Sequence, residues 1–489
     1  MENMERKRCG ERRRSESWVV QHGGGVESSA VVRQRLDKMN EGCSLDREEG
    51  ERSNKITLSV SPSSAAVVSP LSNTWQKLNQ LAIASLTRAH HLKHPKTNIS
   101  VTKTPLFPLS YGGYSVPLSF GTPPQTLPFV MDTASSLVWF PCTQRYKCSS
   151  CSFPNINSTN ISRFIPKSSS SVKVLGCKNW KCGLIYPKLE CKQCDQNSTS
   201  CTETCPPYIL QYGSGSTGGL LLSETLVFPE KSVDNFMVGC SLFSSRQPSG
   251  IAGFGRGPES LPAQMGVKKF SYCLVSHRFD DTPVSSELVL VSGRESGGAN
   301  GTIKYTPFRK NPVAFNSAFQ DYYYVTLRKM TVGGIRIKVP YKFLVPGSDG
   351  HGGTIVDSGS TFTSMDNQVF ELVAQEFERQ VGKHYPRAAY VEKQSGLRPC
   401  FNVSGEETKS LPKLIFEFKG GAKMELPVGD YFSFLDDSVI CMTIVPNNAI
   451  SQEILVGPSI ILGNYQQQNF YLEYDLEKER LGFLKQICN

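Results

Sequence analysis

The chain has 489 residues, 39% of them hydrophobic and 20% charged, with 26 Phe and 18 Tyr, which is too much apolar material for a wholly disordered chain. It contains no run of about eighteen apolar residues, so a membrane-spanning helix is excluded. The absence of His-Glu-x-x-His and of Gly-x4-Gly-Lys-Ser/Thr argues against a helix-borne zinc protease and a P-loop nucleotidase. The formal charge of +10 is dispersed, with 17 basic and 11 acidic side chains in residues 1–110 against 36 and 32 beyond, so no concentrated nucleic-acid face is expected.

Residues 1–55 carry 12 basic and 11 acidic side chains without periodicity and read as a disordered charged N-terminus. The opening MENMERKRCGERRRSESWVV lacks the apolar stretch of a signal peptide, so an exported form is expected to start elsewhere than at Met1. Residues 56–110 hold five basic side chains and no acidic one. Their first part, 56–73, is a Ser-, Pro- and Val-rich linker. Within 74–94, Leu78, Leu81, Ile83 and Leu86 fall near helical spacing ahead of Arg88, His90, His91, Lys93 and His94, which predicts a basic amphipathic helix.

From Tyr111 the texture changes to short strand-like runs divided by Gly and Pro: SVPLSFG, LPFVMD, LVWFP, DNFMVGC, SELVLV, YYYVTL, GTIVDSG, KLIFEF, VICMTIV and FYLEYD. Only 366–381 reads as a good helix, with Val369, Leu372, Val373 and Phe377 as its apolar face. The body is therefore predicted to be all-β.

Of 16 cysteines, fourteen follow residue 140 and nine crowd between Cys142 and Cys205. Six sequons start at Asn98, Asn157, Asn160, Asn197, Asn300 and Asn402. Together they favour disulfides, glycosylation and the secretory pathway, with the extracellular space or cell wall first and the vacuole second. The rival reading is zinc on CSSC at 148–151 and CKQC at 191–194. Those pairs stand too far apart for a zinc ribbon and other cysteines intervene, so no metal and no cofactor is expected.

An internal echo carries the chemistry. Tyr114-x-Val116-x-Leu118 precedes Asp132-Thr133-Ala134-Ser135, and Tyr323-x-Val325-x-Leu327 precedes Asp357-Ser358-Gly359-Ser360. Each Asp ends an apolar strand, and each motif is followed by an apolar pair and Gly, Ile251-Ala252-Gly253 and Ile461-Leu462-Gly463. A unit used twice predicts two related lobes facing across a cleft. A single Asp-Thr/Ser-x-Ser would be an Asx turn or a cap. Two matched copies place two carboxylates on one axis, where they share a proton, and the pair can then activate water and polarise a carbonyl.

FVMDTASSLVWFPC and TIVDSGSTFTSM resemble the two active-site motifs of the pepsin-like aspartic proteases, and the resemblance extends over 111–489. It implies a bilobal pepsin-like fold, with an N-terminal lobe over 111–292 and a C-terminal lobe over 293–489. It also implies peptide hydrolysis by Asp132 and Asp357, supported by Ser135, Ser360, Thr133 and Ser358. LQYGSGSTGGLLLSETL at 210–226 is similar to the family's flap, with Tyr212 at the flap tyrosine and Trp139 at its partner. Ala134 and Gly359 fall beside the substrate cleft. The Cys-rich stretch 142–205 resembles the insert of the plant nepenthesin-type branch. By the same resemblance Cys400 is expected to pair with Cys441, and Cys273 with Cys488. Pairing inside the insert stays open.

The resemblance further implies protein or peptide substrates, pepstatin-type inhibitors, a monomer, and a propeptide in the basic segment before Tyr111. One departure stands out: Ala134 replaces the usual Gly of Asp-Thr-Gly, which predicts lowered activity or narrowed specificity. A non-catalytic relative acting as an inhibitor, like the plant xylanase inhibitors, is the alternative. Retention of both Asp motifs and Tyr212 separates the chain from it. GFGRGP at 253–258 and the body's His277, His351 and His384 complete no phosphate loop or Ser-His hydrolase motif.

Overall fold

A computed structural model describes residues 101–151, 161–192, 201–276, 284–293, 302–312, 317–404, 411–435, 438–447 and 456–488. The charged N-terminus, the linker and the basic helix expected at 74–94 lie outside the described residues. So do Asn98, Asn157, Asn160, Asn197 and Asn300.

Strands dominate, as the alternation of apolar residues with Gly and Pro predicts. Fifteen of those described join one extended sheet, and smaller sheets of five, four and three strands complete the C-terminal half. The strands Lys304–Pro307, Arg480–Lys485, Phe470–Asp475, Lys269–Cys273, Ser286–Val291 and Val101–Leu109 run side by side, so the central sheet draws on both halves of the sequence. The stacked rings of Phe270 and Tyr474, 4.4 Å apart, lie within that shared region.

Val101–Leu109, within the segment read as propeptide-like, is a strand. Its first part pairs with Ser286–Val291 and its last three residues with Gly113–Ser115. The β body therefore takes up the end of the segment read as propeptide-like.

The repeated unit is realised in both halves. Gln125–Asp132 runs parallel to Gly250–Gly253, with Asp132 opposite Gly253, and Ile251 lies across from Trp139. Thr354–Val356 runs parallel to Ile460–Leu462, which is crossed on its other side by Thr363–Met365. Glycine ends each apolar pair because the backbones touch there. A Cβ on Gly253 would lie 2.2 Å from the Ser136 carbonyl oxygen, and one on Gly463 2.5 Å from the Phe362 carbonyl carbon.

The expected helix forms over Asn367–Val381, capped by the Asp366 side chain accepting from the Gln368 N–H. Its buried face is Val369, Phe370, Val373, Ala374 and Phe377, whereas Leu372 is only half-buried. A second helix, Ala389–Ser395, was not anticipated and ends on the left-handed Gly396. Among the described residues no helix is long and apolar enough to cross a membrane.

Candidate active site

Two apolar strand ends hold the central carboxyls. Phe129 and Met131 anchor the strand before Asp132, and Ile355 and Val356 anchor the one before Asp357. Both aspartates are buried, each 7% exposed. The Ala134 N–H donates to Asp132 Oδ1 (2.8 Å) and the Ser135 hydroxyl to Oδ2 (2.5 Å). In the other turn the Gly359 N–H donates to Asp357 Oδ1 (2.8 Å) and the Ser360 hydroxyl to Oδ2 (2.6 Å).

The hydroxyls between them lock the turns to each other. Thr133 Oγ1 donates to the Val356 carbonyl (3.0 Å) and accepts from the Ser358 N–H (3.0 Å). Ser358 Oγ donates to the Met131 carbonyl (2.8 Å) and accepts from the Thr133 N–H (3.2 Å). Each half thus supplies the same pair of bonds to the other, which is the local twofold symmetry read from the sequence.

The two carboxyls lie close enough for the charge of one to act on the other. Burial raises the pKa of both. The charge of Asp357 lifts Asp132 further, against the donors from Ser135 and Ala134. For Asp357 the rise is opposed by the donors from Ser360 and Gly359 and by the neighbouring Asp132. Two buried carboxyls this close resist carrying two charges at once, which favours one proton held by the pair over an acidic range.

Tyr208–Tyr212 and Gly215–Val227 form the expected hairpin, with Tyr212 opposite Gly215 and a turn at Gly213-Ser214. Trp139 Nε1 donates to the Tyr212 hydroxyl (2.8 Å). Burial, and then the charge of Asp132, pushes the Tyr212 phenol well above its ordinary range, with Trp139 and Ser135 pulling the other way. Trp139 itself is fully buried among Leu137, Leu175, Tyr208 and Leu221.

Ala134 is half-buried and its backbone lies outside the left-handed region. The strain that a positive φ would have added is absent.

Several residues around the dyad carried no motif. Tyr322 lies beside it, its phenol pushed up to about 12 by burial and then by the charges of Asp357 and Asp132. Gln467 Nε2 donates to the carbonyls of Asp357 (3.2 Å) and Leu462 (2.8 Å), and its Oε1 accepts from the Tyr272 hydroxyl (2.8 Å). Asn464 Nδ2 donates to the carbonyls of Gly112 and Ser358, both at 3.0 Å. The available signals were position, with Asn464 directly after the second apolar-apolar-Gly, and the Gln466–Gln468 run inside a β context.

The expected disulfides Cys400–Cys441 and Cys273–Cys488 form. The insert adds Cys177–Cys191, Cys182–Cys205 and Cys148–Cys151, while Cys142 reaches out of it to Cys240. Cys148, Cys151 and Cys191, three of the four thiols of the zinc reading, are thereby spent in disulfides. Asn402 is half-buried at a strand end, its side-chain oxygen accepting from the Ser404 hydroxyl (2.7 Å).

Two family models match, described as xylanase inhibitor N-terminal over residues 114–290 and xylanase inhibitor C-terminal over 322–485. A probable aspartyl protease of Arabidopsis thaliana is 32% identical over 428 residues, covering 78% of this chain and 83% of that protein. The aspartic proteinase nepenthesin-1 of Nepenthes gracilis is 31% identical over 391 residues, covering 77% of this chain and 78% of its own. The crystal structure of edgp superposes with a TM-score of 0.62 at 18% identity, over 81% of this chain and 97% of that one. Soybean basic 7S globulin gives 0.57 at 17%, over 79% and 96%. At those identities the likeness is one of fold.

Proposed function

The chain belongs to the pepsin-like aspartic protease family, in its nepenthesin-type plant branch, and from that premise we propose that it is an endopeptidase hydrolysing peptide bonds in acid through Asp132 and Asp357. The observation that carries this reading is the pair of buried carboxyls, each held by a matched backbone N–H and hydroxyl donor.

The ionised carboxylate of the pair takes a proton from a water bound between Asp132 and Asp357 while the protonated one donates its proton to the substrate carbonyl oxygen. Water oxygen bonds to the carbonyl carbon, giving a neutral gem-diol and leaving the dyad with one proton again. Return of a proton to the amide nitrogen breaks the C–N bond, and a gem-diol hydroxyl loses its proton to the dyad. The hairpin bearing Tyr212 closes over this site and excludes water.

The basic segment ahead of the β body supports synthesis as a zymogen, its cations paired with cleft carboxylates until acid protonates them. The disulfides favour an oxidising compartment. The names of the two family models and the methyl of Ala134 favour a second reading, an inhibitor or binding protein on the same fold.

Calorimetric titration with pepstatin separates the two. Tight binding in acid that is lost in Asp357→Asn supports a working dyad. A folded protein that ignores pepstatin at every acidic pH supports the second reading.

A further inference from the structure

Two adjoining cavities of about 530 and 250 Å³ open on the C-terminal half and share Arg328, Arg336, Val339 and Leu344. The larger is also lined by Arg309, Lys419 and Tyr341, over a floor that includes buried Leu327. Among the described residues no acidic side chain lines either cavity.

The local backbone aims these cations into one groove. The pairing of Leu327–Val332 with Leu414–Phe418 slips between Leu327 and Lys329, leaving Arg328 as the extra residue of a bulge, a device that re-aims a side chain. Arg336 lies opposite Thr331 in the adjoining hairpin. The Arg309 N–H is tied to the Tyr324 carbonyl (2.8 Å) and the Lys419 N–H to that of Thr326 (2.9 Å). Lys329 next door is ion-paired with Glu417 (3.3 Å). Among the described residues Arg309, Arg328, Arg336 and Lys419 have no such carboxylate partner.

Four unneutralised cations around one groove repel each other, and that cost falls when an anion enters. Three are arginines, whose forked donors match planar carboxylates two bonds at a time. Tyr341 is 76% exposed at the rim. Its ring offers a flat apolar face of the kind that the C–H face of a sugar packs against.

We propose that this groove, formed by Arg309, Arg328, Arg336, Lys419 and Tyr341, binds an acidic oligosaccharide, a chain of uronate sugars. Rigid rings carry their carboxylates at fixed spacing and lose little freedom on binding. An acidic peptide would have to order one flexible side chain per charge. None of the groove residues belongs to the dyad turns or the hairpin, so the site can be removed without touching the proposed chemistry.

The test is calorimetric titration of the purified, disulfide-bonded protein with a homogalacturonan oligomer at about pH 5, where uronates are ionised. Parallel arms use a neutral galactan oligomer of equal length, a poly-glutamate peptide and inorganic sulfate. The uronate oligomer is expected to bind, the neutral one not, and added salt to weaken the complex. Arg328→Gln with Arg336→Gln should cost roughly tenfold or more in affinity, and Tyr341→Ala should weaken sugar binding without changing sulfate binding. Thermal melts of these surface variants check that they fold as the parent does.

Equal affinity for poly-glutamate would overturn the assignment in favour of a peptide surface, and equal affinity for sulfate in favour of a bare anion site. Uronate binding that persists in the double variant, or none in the parent, would also overturn it.

Discussion

Ala134 and Gly359 occupy equivalent places in the two central turns, each backbone N–H donating at 2.8 Å to its own aspartate, yet only one of them carries a methyl group. A Cβ on Gly359 would lie 2.6 Å from Asp132 Oδ1 and 3.2 Å from Asp357 Oδ1. The dyad therefore tolerates a side chain on one flank and excludes it on the other. Ala134→Gly should keep both carboxylate donors and raise kcat on peptide substrates several-fold, at about 0.5–1 kcal/mol of stability from the freer backbone. Gly359→Ala should abolish turnover. Steady-state kinetics and a thermal melt check both, and unchanged or lower turnover in Ala134→Gly would remove the methyl as a restraint.

Tyr212→Phe removes the acceptor for Trp139 Nε1. One buried donor left without a partner is worth about 1–3 kcal/mol. The expected outcome is a fall in kcat/KM of roughly tenfold, with the pH profile still set by the dyad. A shifted profile at full activity would mean that Tyr212 tunes the carboxyls instead of closing the cleft.

The fold should be an acid-stable one. Burial pushes Asp430 up to about 8 and Glu259 up to about 7, the latter with a smaller push from Asp321, and burial lifts Asp321 to about 6. Asp430 is 2% exposed, and its Oδ2 has no hydrogen-bond partner among the described residues. Lys485 pulls its pKa the other way, and Tyr114 lies within reach of its charge.

These acids keep their protons in the folded chain and lose them near about pH 4 when unfolded. Between those limits the native state binds more protons. Stability is therefore fully present at low pH and falls as pH rises, by up to about 1.4 kcal/mol per pH unit for each group. Tm should decline from about pH 4 toward neutrality. Asp430→Asn should match the parent in acid and flatten the decline. A Tm that climbs toward neutral pH would contradict this.

Latency of the precursor should depend on charge. Replacing Lys77, Arg88, Lys93 and Lys96 with Gln should expose activity near neutral pH in the uncleaved chain, measured against a fluorogenic peptide. Latency equal to that of the parent would rule out an electrostatic lock.

Much of the site was legible because its physics is local and repeated. An apolar strand ending in Asp-hydroxyl-x-Ser, twice, with an apolar-apolar-Gly strand after each, left little freedom in where Asp132 and Asp357 would meet. The hairpin tyrosine was legible only from its place between them. Val101–Leu109 was hidden by its basic neighbourhood and by Pro105 and Pro108, which demote a strand reading. In the fold each half of that strand pairs on one side only. The supporting amides Asn464 and Gln467 were illegible because their partners are carbonyls up to 352 residues away. The insert's pairing was illegible because many connectivities fit its spacing, and Cys142 leaves the insert to find Cys240.

The central claim is tested most directly by cleavage of a denatured protein substrate from about pH 2.5 to about pH 7.5. The mature protein would be made through its precursor and assayed with and without pepstatin, with Asp132→Ala in parallel. Cleavage that peaks in acid, stops with pepstatin and vanishes in Asp132→Ala is the predicted result. A folded, processed protein that cleaves nothing across that range, or one whose cleavage survives in Asp132→Ala, would contradict it.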